Sequence, residues 1–443
     1  MKVLKFGGTS VGSPQRIKHV ASLALERGRN IVVLSAMSGT TNSLVEISDY
    51  LYKGNIPGAQ EILNALEAKY DAVVEELLTT VGARAEALKA IGRSWDLIRG
   101  FFARGDRRAP FTAKQEKEIL AQGELISTAL MVAHLRERGV RAAMLPALSF
   151  MRTFDNGEPD MAYIREKLSV LLAQHADAEL FITQGFICRD SAGQVANLQR
   201  GGSDYSASII GAVLDLEEIQ IWTDIDGMHN NDPRFVEGTR PVGRLHFEEA
   251  AELAYFGAKI LHPTCVLPAK LHNIPVRLLN TLDPQAPGTL ICNTAPDGTI
   301  KAIAAKDGIT AIKIKSGRML LAYGFLHKVF ETFENHRTSI DMIATSEVGV
   351  TVTVDNVERL AAIVDELKNF GTVSVDHDMV ILCVVGDLEW HNAGFEARAV
   401  AALGDIPIRM ISYGGSNYNI SMLVRKDDKV EALRRLSANL FPV

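Results

Sequence analysis

Residues 3–12 are Val-Leu-Lys-Phe-Gly-Gly-Thr-Ser-Val-Gly, and this stretch decides the fold class. Its first four residues form a strand pattern that two glycines interrupt, and Pro14 stands where a helix can begin. Residues 16–26 carry apolar side chains at helical spacing, and the run Ile-Val-Val-Leu at 31–34 is typical of a strand buried on both faces of a parallel sheet. Strand, helix and strand together predict a βαβ unit whose working loops lie at the strand ends.

The following part of the chain continues this alternation of helices and strands. Residues 59–103 have apolar side chains at helical spacing with no strand run between them, which predicts a helical insertion, and another helix is predicted over 113–137. Strands are predicted at 142–145, 179–183, 195–198 and 219–222, and helices at 160–174 and 204–213. The pattern favours an α/β domain with a mainly parallel central sheet.

A weak internal repeat follows a stretch rich in proline and glycine, which predicts a domain boundary near 297–310. Gly324 opens one helix and Gly394 opens another. The strands that follow them contain Ile-Asp-Met-Ile (340–343) and Ile-Arg-Met-Ile (408–411). Each half is predicted to be a βαββαβ unit, a small four-stranded sheet with helices on one face.

Composition argues against several classes of function. The chain has 443 residues, 47% hydrophobic and 23% charged, and its formal net charge of −6 gives no global basic field for nucleic acid or an anionic membrane. No apolar run approaches the ~20 residues of a membrane span, and the N-terminus lacks the features of a signal peptide. The four cysteines are far apart, so we expect reduced thiols in a cytoplasmic protein rather than a metal site or a disulfide framework.

Two glycine-rich turns carry the candidate chemistry. In Lys-Phe-Gly-Gly-Thr-Ser (5–10) the glycines let the main chain approach a phosphate, and Lys5 can place an ammonium on a transferred phosphoryl group. The second turn, Arg-Gly-Gly-Ser-Asp-Tyr-Ser (200–206), combines a guanidinium, a hydroxyl and a carboxylate. Alone, each pattern also fits a tight turn or a helix cap. Together they indicate phosphoryl transfer, which needs cations around a spreading negative charge and an acceptor held in place.

Three further segments hold candidate ligand-binding side chains, and each has a structural alternative. Thr223 and Asp224 follow a strand, and Arg234 comes soon after, so they can contact a nucleotide or form an Asp-rich turn. Metal binding by the aspartates of that turn stays open, although an EF-hand pattern is missing. Lys259 can bind phosphate or only favour a helix C-terminus. Glu124 lies in an apolar helical stretch, where it is either a buried acid that needs a cation, such as a substrate ammonium, or a charge at a helix edge.

Taken together, these segments resemble the aspartate kinase family. The resemblance rests on eight motifs in the family's order: KFGGTSVG (5–12), LSAMSGTTN (34–42), QGELIST (122–128), ITQGFI (182–187), RGGSDYSA (200–207), IWTDIDG (221–227), DPR (232–234) and FGAKILHP (256–263). The tail resembles the family's paired ACT domains, down to Thr-Ser-Glu-Val at 345–348. The resemblance implies an amino-acid-kinase domain over 1–297, a first ACT domain over 312–378, and a second ACT domain made of 298–311 and 379–443.

The resemblance implies phosphorylation of the L-aspartate side-chain carboxylate by ATP, the first step of the lysine, threonine and methionine branch of biosynthesis. Because that carboxylate is already a nucleophile at pH 7, the work is positioning and charge neutralisation. Mg²⁺ would be held largely by the nucleotide and water, so no protein metal ligand is assigned. Glu124 would bind the aspartate ammonium, and Arg200 a carboxylate. The implied catalytic residues are Lys5 and Asp204; the aspartate-binding residues are Thr41, Glu124, Arg200, Gly201, Gly202 and Ser203; the nucleotide-binding residues are Lys5, Phe6, Gly7, Gly8, Thr223, Asp224, His229, Arg234, Lys259 and Ile260.

The resemblance also implies an effector site in the first ACT domain and a homodimer or homotetramer formed through these domains. Lysine is the favoured inhibitor, with threonine or no response as alternatives. The implied effector residues are Met319, Ala322, Gly324, Asp341, Ser346 and Glu347. Three positions depart from the pattern: Gln199 replaces a frequent glycine, and His229 and Ala322 replace a tyrosine and a serine of lysine-sensitive members.

Two rival functions compete with this interpretation. Another amino-acid kinase, acting on glutamate or acetylglutamate, is disfavoured by the ACT pair and by the segments at 122–125 and 256–259. A non-catalytic amino-acid sensor is disfavoured by intact charged residues, among them Lys5 and Asp204. A fused homoserine dehydrogenase is not expected, because no further domain follows before Val443.

Overall fold

The computed structural model describes residues 1–103, 110–198, 201–257, 261–294, 299–316, 323–389, 391 and 393–441. The elements begin, in chain order, with β1 (Val3–Phe6), α1 (Pro14–Glu26), β2 (Asn30–Leu34), α2 (Thr40–Tyr52), α3 (Ile56–Leu77), α4 (Val81–Ala103), α5 (Ala113–Leu120), α6 (Gln122–Glu137), β3 (Ala142–Leu145), α7 (Ala147–Phe150), α8 (Met161–Gln174), β4 (Leu180–Gln184), β5 (Ile187–Arg189), β6 (Val195–Asn197), α9 (Gly202–Val213) and β7 (Ile219–Thr223). They continue with β8 (Arg244–His246), α10 (Phe247–Tyr255), α11 (Leu267–Leu271), β9 (Val276–Asn280), β10 (Thr289–Cys292), β11 (Ile300–Lys315), α12 (Phe325–Asn335), β12 (Ile343–Ser346), β13 (Gly349–Val354), α13 (Leu360–Leu367), β14 (Thr372–Gly386), α14 (Phe395–Leu403), β15 (Met410–Tyr413), β16 (Asn419–Arg425) and α15 (Lys429–Leu440).

The chain packs into two compact units. The first comprises Met1–Gly227 and Leu261–Asn293, and the second comprises residues 228–260 and 294–443. The domain limits inferred from the sequence stay a prediction.

The first unit is built on a mainly parallel sheet, which confirms the predicted fold class. Its strands lie in the order β3-β4-β2-β1-β7-β9-β10, and every neighbouring pair is parallel except β9 with β10. In the central strand, Lys5 is in register with Val33 on one side and Ile221 on the other. Parallel strands end at the same edge, so the loops that follow β1, β2, β4 and β7 meet there.

Local sequence explains the first βαβ unit. All five residues of β2 are buried, as a strand covered on both faces requires. Helix α1 begins at Pro14, where a missing N–H loses no hydrogen bond, and the Ser13 hydroxyl accepts a hydrogen bond from the Arg16 N–H at 3.3 Å. The helix therefore starts directly after the glycine-rich turn.

The helical insertion predicted over 59–103 is divided into separate helices, which its periodicity does not indicate. The pattern over 59–103 becomes two helices, α3 and α4, with a break after Leu77. The Glu137 carboxylate accepts hydrogen bonds from the N–H groups of Thr79 at 2.9 Å and Thr80 at 2.7 Å, so the break is stabilised by a distant helix.

The helix predicted over 113–137 is likewise divided, into α5 and α6. The side-chain amide of Gln122 donates to the Glu118 carbonyl at 2.8 Å. In an unbroken helix the backbone N–H of residue 122 would use that carbonyl. The strand predicted at 195–198 is also displaced from the main sheet, because β6 pairs antiparallel with β5 in a separate ladder.

The second unit contains one antiparallel sheet in which two similar halves share strands. The order is β12-β13-β11-β14-β16-β15. Strands β11 and β14 are long and run through both halves, with register shifts between Lys306 and Ile309. Helices α12 and α13 cover one half, with Val329, Phe333 and Ile363 in its core, while α14 and α15 cover the other. Each half thus has the predicted four strands and two helices, and the halves form one continuous sheet.

Among the described residues, no helix combines the length and the apolar character that a membrane span requires.

Candidate active site

A cleft lies at the edge of the parallel sheet where β1 and β2 end. Its volume is about 360 Å³. It is lined by residues of the loops after β1, β2 and β4 and of the first turns of α2, α6 and α9: Lys5, Gly8, Ser35, Ala36, Met37, Ser38, Gly39, Thr41, Asn42, Glu124, Phe186, Gly201, Gly202, Ser203 and Asp204. The sequence-predicted residues of the two glycine-rich turns and of helix α6 therefore meet in one cavity.

An ion pair joins the two predicted catalytic residues across this cleft. The Lys5 ammonium lies 2.6 Å from Oδ1 of Asp204, and each side chain is only 12% exposed. Lys5 is on the central strand β1, and Asp204 is in the first turn of α9, so both side chains have rigid supports. The carboxylate holds the ammonium at the sheet edge, where it can neutralise an anionic ligand.

Glu124 is the acid in the cleft that lacks a cationic partner among the described residues. Its side chain is 5% exposed, and its Oε1 accepts a hydrogen bond from the Ala36 N–H at 3.0 Å. Burial raises the pKa of this carboxyl to about 7, although the hydrogen bond from Ala36 opposes the shift. A buried carboxylate that lines a cavity is a site for a cationic group of a ligand.

Close main-chain contacts explain the glycines of the cleft. A Cβ on Gly8 would lie 2.8 Å from the Ala36 carbonyl oxygen, and the Gly8 carbonyl accepts a hydrogen bond from the Ser38 N–H at 3.1 Å. Gly201 has φ +72°, and a Cβ there would lie 2.4 Å from the Cys265 sulfur. The glycines thus let the loops after β1 and β2 touch and let α9 begin in the cleft.

Other predicted ligand residues of the first unit take different positions. Thr41 lies in the first turn of α2 and is exposed to the cleft. The Phe6 ring is fully buried and stacks on Trp222 at 5.7 Å, so only its main chain is available to a ligand. The Gly7 N–H donates to the Trp222 carbonyl at 3.3 Å. Thr223 ends β7, and its hydroxyl donates to Asp224 at 3.2 Å.

Two other predicted nucleotide residues, His229 and Arg234, belong to the second unit. The Arg234 guanidinium is paired with Asp232 through its Nε at 2.9 Å and its Nη2 at 2.6 Å, and His229 Nδ1 is 3.0 Å from the Thr239 hydroxyl. Arg200, Lys259 and Ile260, as well as the departing residue Gln199, lie outside the described residues.

Of the predicted effector residues, Asp341 has the most distinctive surroundings. Its side chain is 1% exposed, and its Oδ1 accepts hydrogen bonds from the Lys306 ammonium at 2.6 Å and the Tyr255 hydroxyl at 2.9 Å. Burial raises the pKa of this carboxyl despite the cation beside it. Gly324 precedes α12 with φ +82°. Ser346 ends β12 and Glu347 lies in the turn that follows, and both are exposed, while Met319 and Ala322 lie outside the described residues.

Sequence reasoning missed several groups of the cleft. Of the segment 34–42, only Thr41 is predicted to bind a ligand, but the lining begins at Ser35, and the Ala36 N–H is the hydrogen-bond donor to Glu124. Phe186 also lines the cleft, and a Cβ on Gly202 would lie 2.6 Å from its ring. The end of the apolar run at Leu34 was the signal for the earlier start. Among the described residues, no group of three or more His, Cys, Asp or Glu side chains could hold a metal ion.

Comparisons with known proteins agree with this architecture. An amino acid kinase family model matches residues 1–280, and an ACT domain model matches residues 382–440. Lysine-sensitive aspartokinase 3 of Escherichia coli is 34% identical over 99% of both chains. The chloroplastic aspartokinase 1 of Arabidopsis thaliana is also 34% identical, over 99% of this chain and 80% of its own length.

Solved structures show the same likeness over the whole chain. The crystal structure of E. coli aspartokinase III in complex with aspartate and ADP (R-state) superposes with a TM-score of 0.82, at 34% identity, and covers 100% of both chains. The same enzyme in complex with lysine and aspartate (T-state) gives a TM-score of 0.81 at 35% identity, over 100% of this chain and 99% of that one. The fold, the family match and the similarity to these relatives show that the chain belongs to the amino acid kinase family and, within it, to the aspartokinases.

Proposed function

We propose that the cleft of the first unit transfers the γ-phosphoryl group of ATP to the side-chain carboxylate of L-aspartate, which gives 4-phospho-L-aspartate and ADP. The observation that carries this proposal is the presence of the Lys5–Asp204 pair and the buried Glu124 in one cavity. A cation for the phosphoryl group and an anion for the amino group of the acceptor are what this reaction needs. The complex of E. coli aspartokinase III with aspartate and ADP supports it.

The chemical step needs no general base. A side-chain carboxylate oxygen of aspartate bonds to the γ-phosphorus, while the bond from that phosphorus to the β–γ bridging oxygen breaks and leaves its electron pair on ADP. Since the attacking carboxylate is ionised at neutral pH, no proton has to be removed. Lys5 would neutralise the charge that spreads over the transferred group, and Asp204 would hold the ammonium in place.

Aspartate would be oriented by its amino group. The Glu124 carboxylate would bind the ammonium, and this contact would stabilise the ionised form of a carboxyl whose pKa burial raises to about 7. The hydroxyls of Thr41 and Ser203 line the same cavity. The main chain at Gly201 and Gly202 and the guanidinium of Arg200, which the family resemblance assigns to a carboxylate, would complete the site.

ATP would lie along the sheet edge beside α1. The main chain at Phe6, Gly7 and Gly8 and the helix N-terminus would face the phosphates, because N–H groups and the helix dipole favour anions there. The family resemblance adds Thr223, Asp224, His229, Arg234, Lys259 and Ile260 as nucleotide contacts. We propose that phosphate oxygens and water hold the Mg²⁺ ion, which supplies further charge neutralisation.

Feedback inhibition would act through the second unit. The solved complex of E. coli aspartokinase III with lysine and aspartate supports lysine as the effector. The proposed contacts are Met319, Ala322, Gly324, Asp341, Ser346 and Glu347; the carboxylate of buried Asp341 already binds Lys306, so it would position this part of the site. We further propose a cytoplasmic enzyme that assembles as a homodimer or homotetramer through its ACT domains; none of its four cysteines forms a disulfide.

Trapping the acyl phosphate with hydroxylamine tests the proposal. The full chain is incubated with ATP and Mg²⁺ and with aspartate, glutamate or acetylglutamate, each with and without lysine or threonine. We expect hydroxamate from aspartate alone, and less of it when lysine is added. Product from glutamate or acetylglutamate, or no product from any of the three acids, would overturn the proposed reaction. Aspartyl hydroxamate formation that lysine leaves unchanged would overturn only the proposed effector.

A further inference from the structure

The two halves of the antiparallel sheet have equivalent positions that can be matched residue by residue. Ile343 is paired with Val352 in the first half, and Ile411 with Met422 in the second. Just before these pairs, the Asp341 N–H donates to the Thr353 carbonyl at 2.8 Å, and the Arg409 N–H donates to the Leu423 carbonyl at 2.8 Å. Asp341 and Arg409 therefore occupy the same position of the repeat and carry opposite charges.

Two further positions match in the same way. In the ladder between β11 and β14, Lys306 is in register with Ile381, and Asp376 is in register with Ala311. The ladder places Lys306 just before the first strand of one half and Asp376 just before the first strand of the other.

The third position is the residue that follows an equivalent strand residue in each half. Asp355 follows Val354, which pairs with Thr310, and Arg425 is the residue after Val424, which pairs with Val380. The first half thus has one cation and two carboxylates at these positions, and the second half has one carboxylate and two guanidiniums. All three charges are inverted between the halves.

The first of these clusters consists of Lys306, Asp341 and Asp355, and its one cation pairs with both carboxylates. The Lys306 ammonium lies 2.6 Å from Asp341 and 2.9 Å from Asp355, so one cation bridges both carboxylates. Its side chain is largely buried, and it lies 4.5 Å from the centre of the Tyr255 ring. The cluster keeps one net negative charge, and Asp355 is its more exposed carboxylate.

The second cluster consists of Asp376, Arg409 and Arg425; it is only partly paired among the described residues, and it borders a cavity. Asp376 is paired with the Arg409 Nε at 2.7 Å, whereas the two terminal nitrogens of Arg409 and the whole guanidinium of Arg425 bind no other described residue. Both arginines line a cavity of about 350 Å³ together with His377 and with apolar Met379 and Ile408. Asp376 is the only acid in this lining, so the two guanidiniums leave a net positive charge there.

We propose that this cavity, in the second half of the antiparallel sheet, binds a small molecule through an oxyanionic group, either a carboxylate or a phosphate. Arg409 and Arg425 both line it and carry planar N–H donors that bind no other described residue, and such donors suit carboxylate and phosphate oxygens. Met379, Pro407 and Ile408 provide the apolar wall against which the rest of the molecule packs. This inference does not depend on the proposed reaction, because none of these residues lines the catalytic cleft.

The test compares the full chain with Arg425→Gln and with a matched control, Arg398→Gln. Arg425 is suited to substitution because its side chain is exposed and forms no ion pair or hydrogen bond with the described residues. Arg398 is an exposed arginine on α14 whose guanidinium likewise has no hydrogen-bonding partner in the described part of the chain. The thermal midpoint is followed as inorganic phosphate or succinate is added at constant ionic strength. We expect one or both to stabilise the wild type and Arg398→Gln, and the apparent affinity to fall about tenfold in Arg425→Gln, since one charge-assisted hydrogen-bonding group is lost.

The two probes distinguish a phosphate ligand from a carboxylate ligand. Equal responses of Arg425→Gln and the wild type to both probes would overturn the proposal, because the stabilisation would then come from elsewhere, such as the catalytic cleft. Sedimentation of the same proteins supplies a second check: a change of oligomer mass in Arg425→Gln would make the cluster an interface and would also overturn it. Aspartyl hydroxamate formation without added phosphate or succinate should be equal in all three proteins, which separates failure of this site from failure of the kinase.

Discussion

At the scale of single residues, the Lys5–Asp204 pair is the contact most directly tied to phosphoryl transfer. Replacement of Lys5 by alanine removes a positive charge that matters more in the transition state than in the bound substrate. We expect kcat to fall by about 10²–10³ while the aspartate KM changes little. Steady-state hydroxamate kinetics measure both constants, with Lys2→Ala as the control because Lys2 pairs with Glu218 away from the cleft. An unchanged kcat in Lys5→Ala would remove Lys5 from the mechanism.

Glu124 gives the site a pH dependence whose sign follows from its burial. Burial raises the pKa of this carboxyl to about 7, so in the free enzyme it is neutral below that pH and ionised above it. Because only the ionised form attracts an ammonium, the aspartate KM should rise as the pH is lowered through this range. In Glu124→Gln the KM should be roughly tenfold to a hundredfold higher and should lose that dependence. The control Glu118→Gln should keep the pH dependence of the KM. If Glu124→Gln also kept it, the titration would belong to another group.

Residue identity in the cleft was partly predictable and partly not. The charged groups Lys5, Glu124 and Asp204 could be identified because a lysine at a strand end, an acid in an apolar helix and an acid in a glycine-rich turn are each unusual. The Ala36 N–H that binds Glu124 could not, because a main-chain donor leaves no mark in the side-chain pattern. The roles of these residues stay predictions.

At the scale of elements, the contact between the loops after β1 and β2 depends on Gly8. A Cβ there would lie 2.8 Å from the Ala36 carbonyl oxygen, and main chain cannot move away as a flexible side chain can. We expect Gly8→Ala to lower the free energy of unfolding by about 1–3 kcal/mol and to reduce kcat, because the loop that carries the Ala36 N–H shifts. Denaturant titration and hydroxamate kinetics measure the two effects.

A glycine of helix α4 provides the matched control for that substitution. A Cβ on Gly92 meets nothing within 4 Å. Gly92→Ala should therefore stabilise the protein by about 0.5–1 kcal/mol, as expected for an exposed helix interior, and leave activity unchanged. If Gly8→Ala were as stable and active as Gly92→Ala, the close approach of the two loops would not be needed for the site.

Element types followed from periodicity, but element ends depended on contacts distant in sequence. The buried run of β2 and the proline at the start of α1 were sufficient to predict the first βαβ unit. The break between α3 and α4 is fixed by Glu137, which is far along the chain, so a local pattern of apolar residues could not show it.

At the scale of the whole molecule, the sequence predicted a mainly parallel α/β domain followed by a repeat of four-stranded halves, but not the joining of the halves into one sheet. Strands β11 and β14 run from one half into the other. The turn-forming pair Asp307-Gly308 does not end β11 but produces a register shift in its ladder with β14. Gly308 has φ +75°, so the chain bends there without leaving the sheet. Strand ends chosen from turn residues alone therefore come too early.

The Lys306 cluster supplies a prediction at the same scale, because it joins α10, β11 and the strands that follow it within the second unit. Lys306→Met leaves buried Asp341 with only the Tyr255 hydroxyl, and we expect the unfolding free energy to fall by about 3 kcal/mol. The double variant Lys306→Met/Asp341→Asn should recover part of this loss, since no buried charge is left unpaired and Asp355, the other partner of Lys306, is 44% exposed to solvent. Burial already raises the pKa of Asp341, and loss of the cation raises it further, so the deficit of Lys306→Met should shrink as the pH is lowered and the carboxyl is protonated. Denaturant titrations at several pH values, with Lys313→Met as the control on the same strand, measure these differences. A deficit that is independent of pH and equally large in the double variant would mean that packing of the lysine stem, not its charge, holds these elements together.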